Sequence, residues 1–92
     1  MNQKPDARDL IELPAFFLFK IIVKDPELTS ARLMEMARAR LNRELDGART
    51  QTAPSRKGNY QSHSLTIYIE VYEEIEALYQ MYSDLEGVVM TL

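Results

Sequence analysis

The chain has 92 residues, 46% of them hydrophobic and 27% charged, with one His and no Cys or Trp. That length fits one small domain, and the composition excludes disulfides, thiolate nucleophiles, Cys-ligated zinc and multi-histidine metal centres. There is no 18-residue apolar run for a membrane span and no charged-then-apolar export leader, so a cytoplasmic protein without a cofactor is expected.

Residues 1–9 are polar, aperiodic and carry Pro5, and they are expected to be a flexible N-terminal tail to a single domain over residues 10–92. Leu10, Ile11 and Leu13 are candidates to fold back onto that domain. From Phe16 to Lys24 the alternation predicts a strand with two apolar faces, one of Phe17, Phe19, Ile21 and Val23, the other including Phe16, Leu18, Lys20 and Ile22. A strand apolar on both faces belongs at the centre of a sheet. Asp25-Pro26-Glu27 reads as a helix start, with Thr29 as an alternative cap. The helix is expected to run to about Leu45, burying Leu33, Met34, Ala37, Leu41 and Leu45, and to stop at Asp46-Gly47. Arg32, Met36, Arg40 and Arg43 fall on its opposite face.

Residues 48–56 are weakly strand-like, and Pro54 confines such a strand to an edge. Lys57-Gly58-Asn59-Tyr60 predicts a turn, since Gly and Asn tolerate positive φ. Next comes the cleanest strand, with His63, Leu65, Ile67, Ile69 and Val71 alternating against Ser62, Ser64, Thr66, Tyr68 and Glu70. Ile75, Leu78, Tyr79, Tyr82 and Leu85 then mark a second helix over about Tyr72–Leu85. Val88, Met90 and Leu92 are expected to form the inward face of a last short strand. The order β-α-β-β-α-β predicts an α+β fold, a ferredoxin-like split βαβ sandwich. Its four-stranded antiparallel sheet would carry both helices on one face, with the first and third strands central.

Two surfaces are candidates for function. The uncovered sheet face would show Leu18, Lys20, Ile22, Thr66, Tyr68, Val89 and Thr91, and an apolar patch there points to a protein partner or a homodimer. Coverage by the segment around Leu10–Leu13 is the alternative. The second surface is the turn, where Lys57, Gly58, Asn59 and Tyr60, flanked by Ser62 and Ser64, could hold a small anionic ligand through backbone amides. A hairpin turn with a solvated basic edge explains the same residues. His63 could carry a proton, but no adjacent nucleophile or orienting group accompanies it, so a structural role is expected. Glu73, Glu74 and Glu76 read as a solvated acidic face, and Met36 and Met81 as a soft contact surface.

The net charge of −3 divides unevenly: 0 over residues 1–25, +3 over 26–59 and −6 over 60–92. Two helices of opposite character lying side by side are the simple reading. An RNA-binding occupant of this fold would continue Lys57-Gly58 with alternating aromatics, which the following residues do not supply. An acylphosphatase-like enzyme would need a glycine-rich first loop with an anion-clamping Arg, which Lys24-Asp25-Pro26-Glu27 does not offer.

The stretch Pro54-Ser55-Arg56-Lys57-Gly58-Asn59-Tyr60-Gln61-Ser62-His63-Ser64-Leu65-Thr66-Ile67 resembles the signature of a small bacterial family of unknown function, the YbeD-like proteins. Leu13 to Phe17, Ile75-Glu76-x-Leu78-Tyr79 and Val89-Met90-x-Leu92 extend the resemblance over nearly the whole chain. It implies an ACT-like fold and an uncharacterised, non-catalytic regulatory or interaction module. It brings no established role for Lys57, Gly58, Asn59, Tyr60, Ser62, Ser64 or Thr66. The expectation is therefore protein–protein contact or small-ligand binding, with a nucleic-acid-associated module as the second reading and an enzyme third. Nucleic acid and membrane are not the expected partners.

Overall fold

The structure, a computed structural model, describes residues 11–92; the expected tail over residues 1–9, and Leu10, lie outside the described residues. Six elements follow in the expected order: β1 (Ala15–Val23), α1 (Ser30–Leu41), β2 (Arg49–Pro54), β3 (Gln61–Ile69), α2 (Tyr72–Ser83) and β4 (Val88–Thr91). They build one four-stranded antiparallel sheet, ordered β2-β3-β1-β4. The two strands with the strongest alternation are central, and they pair at every position from Ala15 opposite Ile69 to Val23 opposite Gln61. The Pro54 strand is an edge, where a missing N–H costs the ladder nothing.

The core lies between the sheet and the two helices. Phe19, Ile21 and Val23 of β1 and Leu65, Ile67 and Ile69 of β3 meet Leu33, Met34 and Ala37 of α1 and Ile75, Leu78 and Tyr82 of α2. Each fully buried Leu, Ile or Phe side chain contributes about 1.5–3 kcal/mol relative to exposure, which drives both helices onto one sheet face. Phe17, Phe19 and Tyr79 extend the core as an aromatic cluster, with centroids 4.9 Å apart for the two Phe and 5.2 Å for Phe19 and Tyr79. Ile11 and Leu13 pack against this core.

Helix α1 is shorter at both ends than its apolar spacing suggests. Asp25 Oδ1 accepts from the Glu27 amide at 2.9 Å, so Asp25 closes a turn ahead of the helix. Thr29 is the cap, its hydroxyl accepting from the Arg32 amide at 3.1 Å. At the far end Asn42 adopts a left-handed conformation (φ 55°) and its N–H bonds the Arg38 carbonyl. Asn is one of the few non-glycine residues that enter this region readily, so the helix stops five residues before Gly47. Leu45 is buried all the same, from the loop.

The last strand corrects the predicted parity. Val88 stands opposite Val23, but Met90 stands opposite Ile22 and Thr91 opposite Ile21, with a register shift between Ile22 and Val23. Val89 is the extra residue of a β-bulge, and one extra residue exchanges the faces of everything beyond it. Val88 and Thr91 therefore face the helices, where the hydroxyls of Thr91 and Ser83 lie 3.3 Å apart. Met90 and Leu92 turn to the open face, 50% and 56% exposed. Val71, expected inward, caps α2 and is exposed. Met36 and Met81, expected on a contact surface, are partly buried against the core.

Candidate binding surface

The Lys57–Tyr60 turn closes on itself. The Ser55 amide donates to the Tyr60 carbonyl at 2.8 Å, and the Gly58 amide donates to the Ser55 carbonyl at 3.0 Å. The Tyr60 amide donates to Ser55 Oγ at 3.1 Å. Gly58 takes φ 75°, the left-handed value that the hairpin requires. Two of the amides that could cradle an anion are thus committed within the hairpin. Between the turn and the β1–α1 connection lies a cleft of about 170 Å³, bounded by Lys24, Asp25, Pro26, Gly58, Asn59 and Tyr60. Lys24 and Asp25 balance one another there, and Lys57 does not line the cleft. Ser62 and Ser64 belong elsewhere, on the open face of β3.

That face is set by the strand pairing. Phe16, Leu18, Lys20 and Ile22 stand opposite Tyr68, Thr66, Ser64 and Ser62, which in turn place Arg49, Gln51 and Ala53 of β2 beyond them. On the other flank, Met90 lies opposite Ile22, and Leu92 exchanges both backbone hydrogen bonds with Lys20, at 3.1 and 2.8 Å. The face is consequently divided lengthwise. Its β1–β4 half is aliphatic, with Leu18 (56% exposed), Ile22, Met90 and Leu92 around Lys20. Its β3–β2 half is hydroxyl- and amide-bearing, with Ser62, Ser64, Thr66, Gln51 and Arg49. Phe16 and Tyr68 close one end, edge to face with centroids 5.2 Å apart.

Of the residues expected on this face, Leu18, Ile22, Thr66 and Tyr68 stand on it, and Val89 is half-exposed at the bulge. Thr91 leaves it. Phe16, Met90, Leu92 and Arg49 join it; alternation could have added Phe16, but no local signal announces the bulge that brings Met90 and Leu92. Among the described residues Gly47, in the loop before β2, lies against the Phe16 ring at one end of the face, and the stretch from Leu18 to Ile22 is left uncovered by Ile11, which lies on the other side of the sheet, beside Phe17, Tyr72, Ile75 and Tyr79.

Charge separates by layer rather than by chain half. The four strands and the 55–60 hairpin hold Lys20, Arg49, Arg56 and Lys57 and no carboxylate. The helices and the loops that follow them hold eight carboxylates against four Arg. One of those Arg, expected on the α1 face opposite the core but lying in the loop beyond the helix, is a structural tie. Arg43 donates from Nε to Glu74 Oε2 at 3.1 Å and from Nη2 to Glu74 Oε1 at 2.8 Å, and also to the Tyr68 carbonyl at 2.7 Å. Glu74 Oε1 accepts in addition from the Glu70 amide at 2.9 Å. Glu74 is therefore part of a bridge between α1's trailing loop, β3 and α2, not of a solvated acidic face. Burial pushes its carboxyl up, but the Arg43 and backbone hydrogen bonds outweigh that and hold it below the usual range. The Glu74 hydrogen bond, against a smaller desolvation penalty, keeps Arg43 charged.

His63 is 2% exposed; its Nδ1 lies 2.8 Å from the Thr52 hydroxyl and its Nε2 has no hydrogen-bonding partner. Burial lowers its pKa from the ordinary imidazole value, with the Leu28 main chain a weaker opposing influence. No substrate can reach a ring so enclosed. Among the described residues no three His, Asp or Glu side chains come together as a metal site, and no helix is long and apolar enough to cross a membrane.

These features define a ferredoxin-like α+β domain with one helix-covered and one open sheet face. The chain belongs to a family described as "Protein of unknown function (DUF493)", whose model matches residues 8–92. It is 34% identical over 91 residues to UPF0250 proteins of Yersinia pestis (strain Pestoides F) and Yersinia pseudotuberculosis (serotype O:1b), covering 97% of this chain and 99% of each relative. The YbeD-like resemblance of the Pro54–Ile67 stretch is thereby borne out. The solution structure of HP0495 from Helicobacter pylori shares the fold, with a TM-score of 0.73 at 20% identity over 98% of this chain and 89% of that one. A second solution structure of HP0495 gives 0.61 at 16% identity, over 99% and 96% of the two chains. The family is defined without an activity.

Proposed function

We propose that the protein is a non-catalytic binding module that works by protein–protein contact through the open face of its sheet. The observation that carries this reading is the aliphatic half-face of Leu18, Ile22, Met90 and Leu92, held on two adjacent strands of a rigid sheet. Contiguous apolar surface of this kind on a small domain favours association, because its burial removes ordered water at little conformational cost. The balanced charge of the hairpin cleft and its committed amides favour the face over the turn. The enclosed His63 ring favours a binding role over a catalytic one.

The chain has no Cys, so a single introduced thiol gives an unambiguous probe. Purified Leu18→Cys protein carrying a thiol-linked photo-crosslinker, irradiated in a bacterial lysate, should yield discrete protein adducts. The same reagent on Glu35→Cys of α1 should not. Adducts at position 35 alone, or none at either position, would overturn the reading.

A further inference from the structure

Resting on the reading above, we infer that the partner presents an amphipathic helix with an acidic flank, laid along the strands of the open face. The face has two lengthwise halves, and each asks for something different. Leu18, Ile22, Met90 and Leu92 fit an apolar stripe. Lys20 rises from the middle of that half, between Leu18 and Ile22, and Arg49 stands on the other half opposite Thr66, so that with the hydroxyls of Ser64 and Thr66 they offer cations and donors along the side facing β3. No Asp or Glu side chain stands on any strand or in the 55–60 hairpin, so the charge complementary to these side chains is negative.

Backbone chemistry selects a helix. On a sheet face the strands' N–H and C=O groups are already paired within the sheet, so an occupant must satisfy its own backbone groups internally. An added strand would instead bind at an edge. Size agrees: nine-residue β1 spans roughly 30 Å, the length of a helix of about 20 residues. Two strands together are about 10 Å wide, close to one helix diameter. A second copy fits poorly, because two-fold pairing would set the Lys20 and Arg49 side chains of one face against those of another with no Asp or Glu side chain on either to receive them. Nucleic acid fits poorly too. The apolar half is aliphatic, and the face's two aromatic rings, Phe16 and Tyr68, are engaged edge to face with each other.

The test uses a synthetic, fluorescently labelled peptide of about 20 residues, with Leu at helical i, i+3, i+4, i+7 spacing and Glu along one flank. A version with Lys in place of Glu and a labelled single-stranded oligouridine serve as comparisons. The acidic peptide should bind at least about tenfold more tightly than the basic one, a difference of about 1.4 kcal/mol. Its helical circular dichroism should rise on binding, and added salt should weaken it. Leu18→Asp, and separately the Lys20→Glu/Arg49→Glu pair, should each reduce binding about tenfold or more. Arg40→Glu on α1 should leave it unchanged. All these positions are exposed, and the thermal melting of each variant establishes that it is folded. Tighter binding of the basic peptide or the oligouridine would overturn the inference. So would a dimer, seen by light scattering, that dissociates with Leu18→Asp. Protein adducts at position 18 without binding of the acidic peptide would overturn this partner class while leaving the binding-module reading intact.

Discussion

The Tyr82 hydroxyl donates a 2.6 Å hydrogen bond to the Leu33 carbonyl and so joins the two helices across the interior. Tyr82 is fully buried, and burial raises its hydroxyl pKa well above the phenol range, so it stays a donor at every working pH. Leu33 lies mid-helix and its carbonyl also serves the helix's own ladder. Tyr82→Phe should therefore cost only about 0.5–1.5 kcal/mol. Tyr82→Ala, which empties a core site, should cost about 3–5 kcal/mol. Urea unfolding measures both, and a Tyr82→Phe variant at least as stable as the parent would show that the bond contributes nothing.

Arg43 and Glu74 are predicted to act as a unit. Removing either partner leaves a partly buried charge without its hydrogen bonds, so Arg43→Ala or Glu74→Gln should each lose about 1.5–3 kcal/mol. The double variant should lose much less than the sum of the two. Independent, additive losses in a double-mutant cycle would remove the bridge from the account.

Glu74 also predicts acid sensitivity. Its folded-state pKa lies below the unfolded value, so as pH falls the unfolded chain takes up the proton first. The stabilisation is present above the unfolded carboxyl value, about 4.3, and is lost as pH falls through the folded one. Melting temperatures should thus fall less steeply below that pH in Glu74→Gln than in the parent.

His63 acts in the same direction at higher pH. Burial lowers its folded-state pKa, so the unfolded state binds the proton first once pH drops below about 6.5. Stability should decline below that value, and His63→Gln should lack that part of the decline. Proton NMR of the ring should show a midpoint below 6.5; a midpoint at or above it would contradict the enclosed, neutral ring.

Asn42 ends α1 in the left-handed region, which a β-branched side chain tolerates badly. Asn42→Val should cost about 1–2 kcal/mol, whereas Asn42→Gly should be close to neutral. Equal stability of the two, measured by urea unfolding, would place the helix end elsewhere.

How far the fold was legible follows from range. Alternation in β1 and β3 and the i, i+3, i+4 spacing of Ile75, Leu78, Tyr79 and Tyr82 are local and strong, and they carried the element order and the central strands. The end of α1 was less legible because Leu45 keeps the helical spacing while lying outside the helix. Gly47 was the louder stop signal, yet Asn42 ends the helix. Half of the open face could be read from parity, through Leu18, Ile22, Thr66 and Tyr68. Met90 and Leu92 could not, since Val89 looks like any strand residue until β4 is registered against β1. Arg43 and Glu74 are 31 residues apart, and their bridge exists only because the loop that follows α1 lies against the end of β3 and the start of α2.

By itself the sequence determined a Cys-free β-α-β-β-α-β fold, its two central strands and most of the residues that fill its core, because burial periodicity is written locally. Only the tertiary structure decided which side chains meet on the open face and what charge they carry. A one-residue bulge reverses parity, and strand pairing collects Lys20, Arg49, Arg56 and Lys57 into a layer without carboxylates. The −3 of the whole chain conceals two unlike layers, four cations on the strands and the 55–60 hairpin, and eight carboxylates against four Arg on the helices and the loops that follow them.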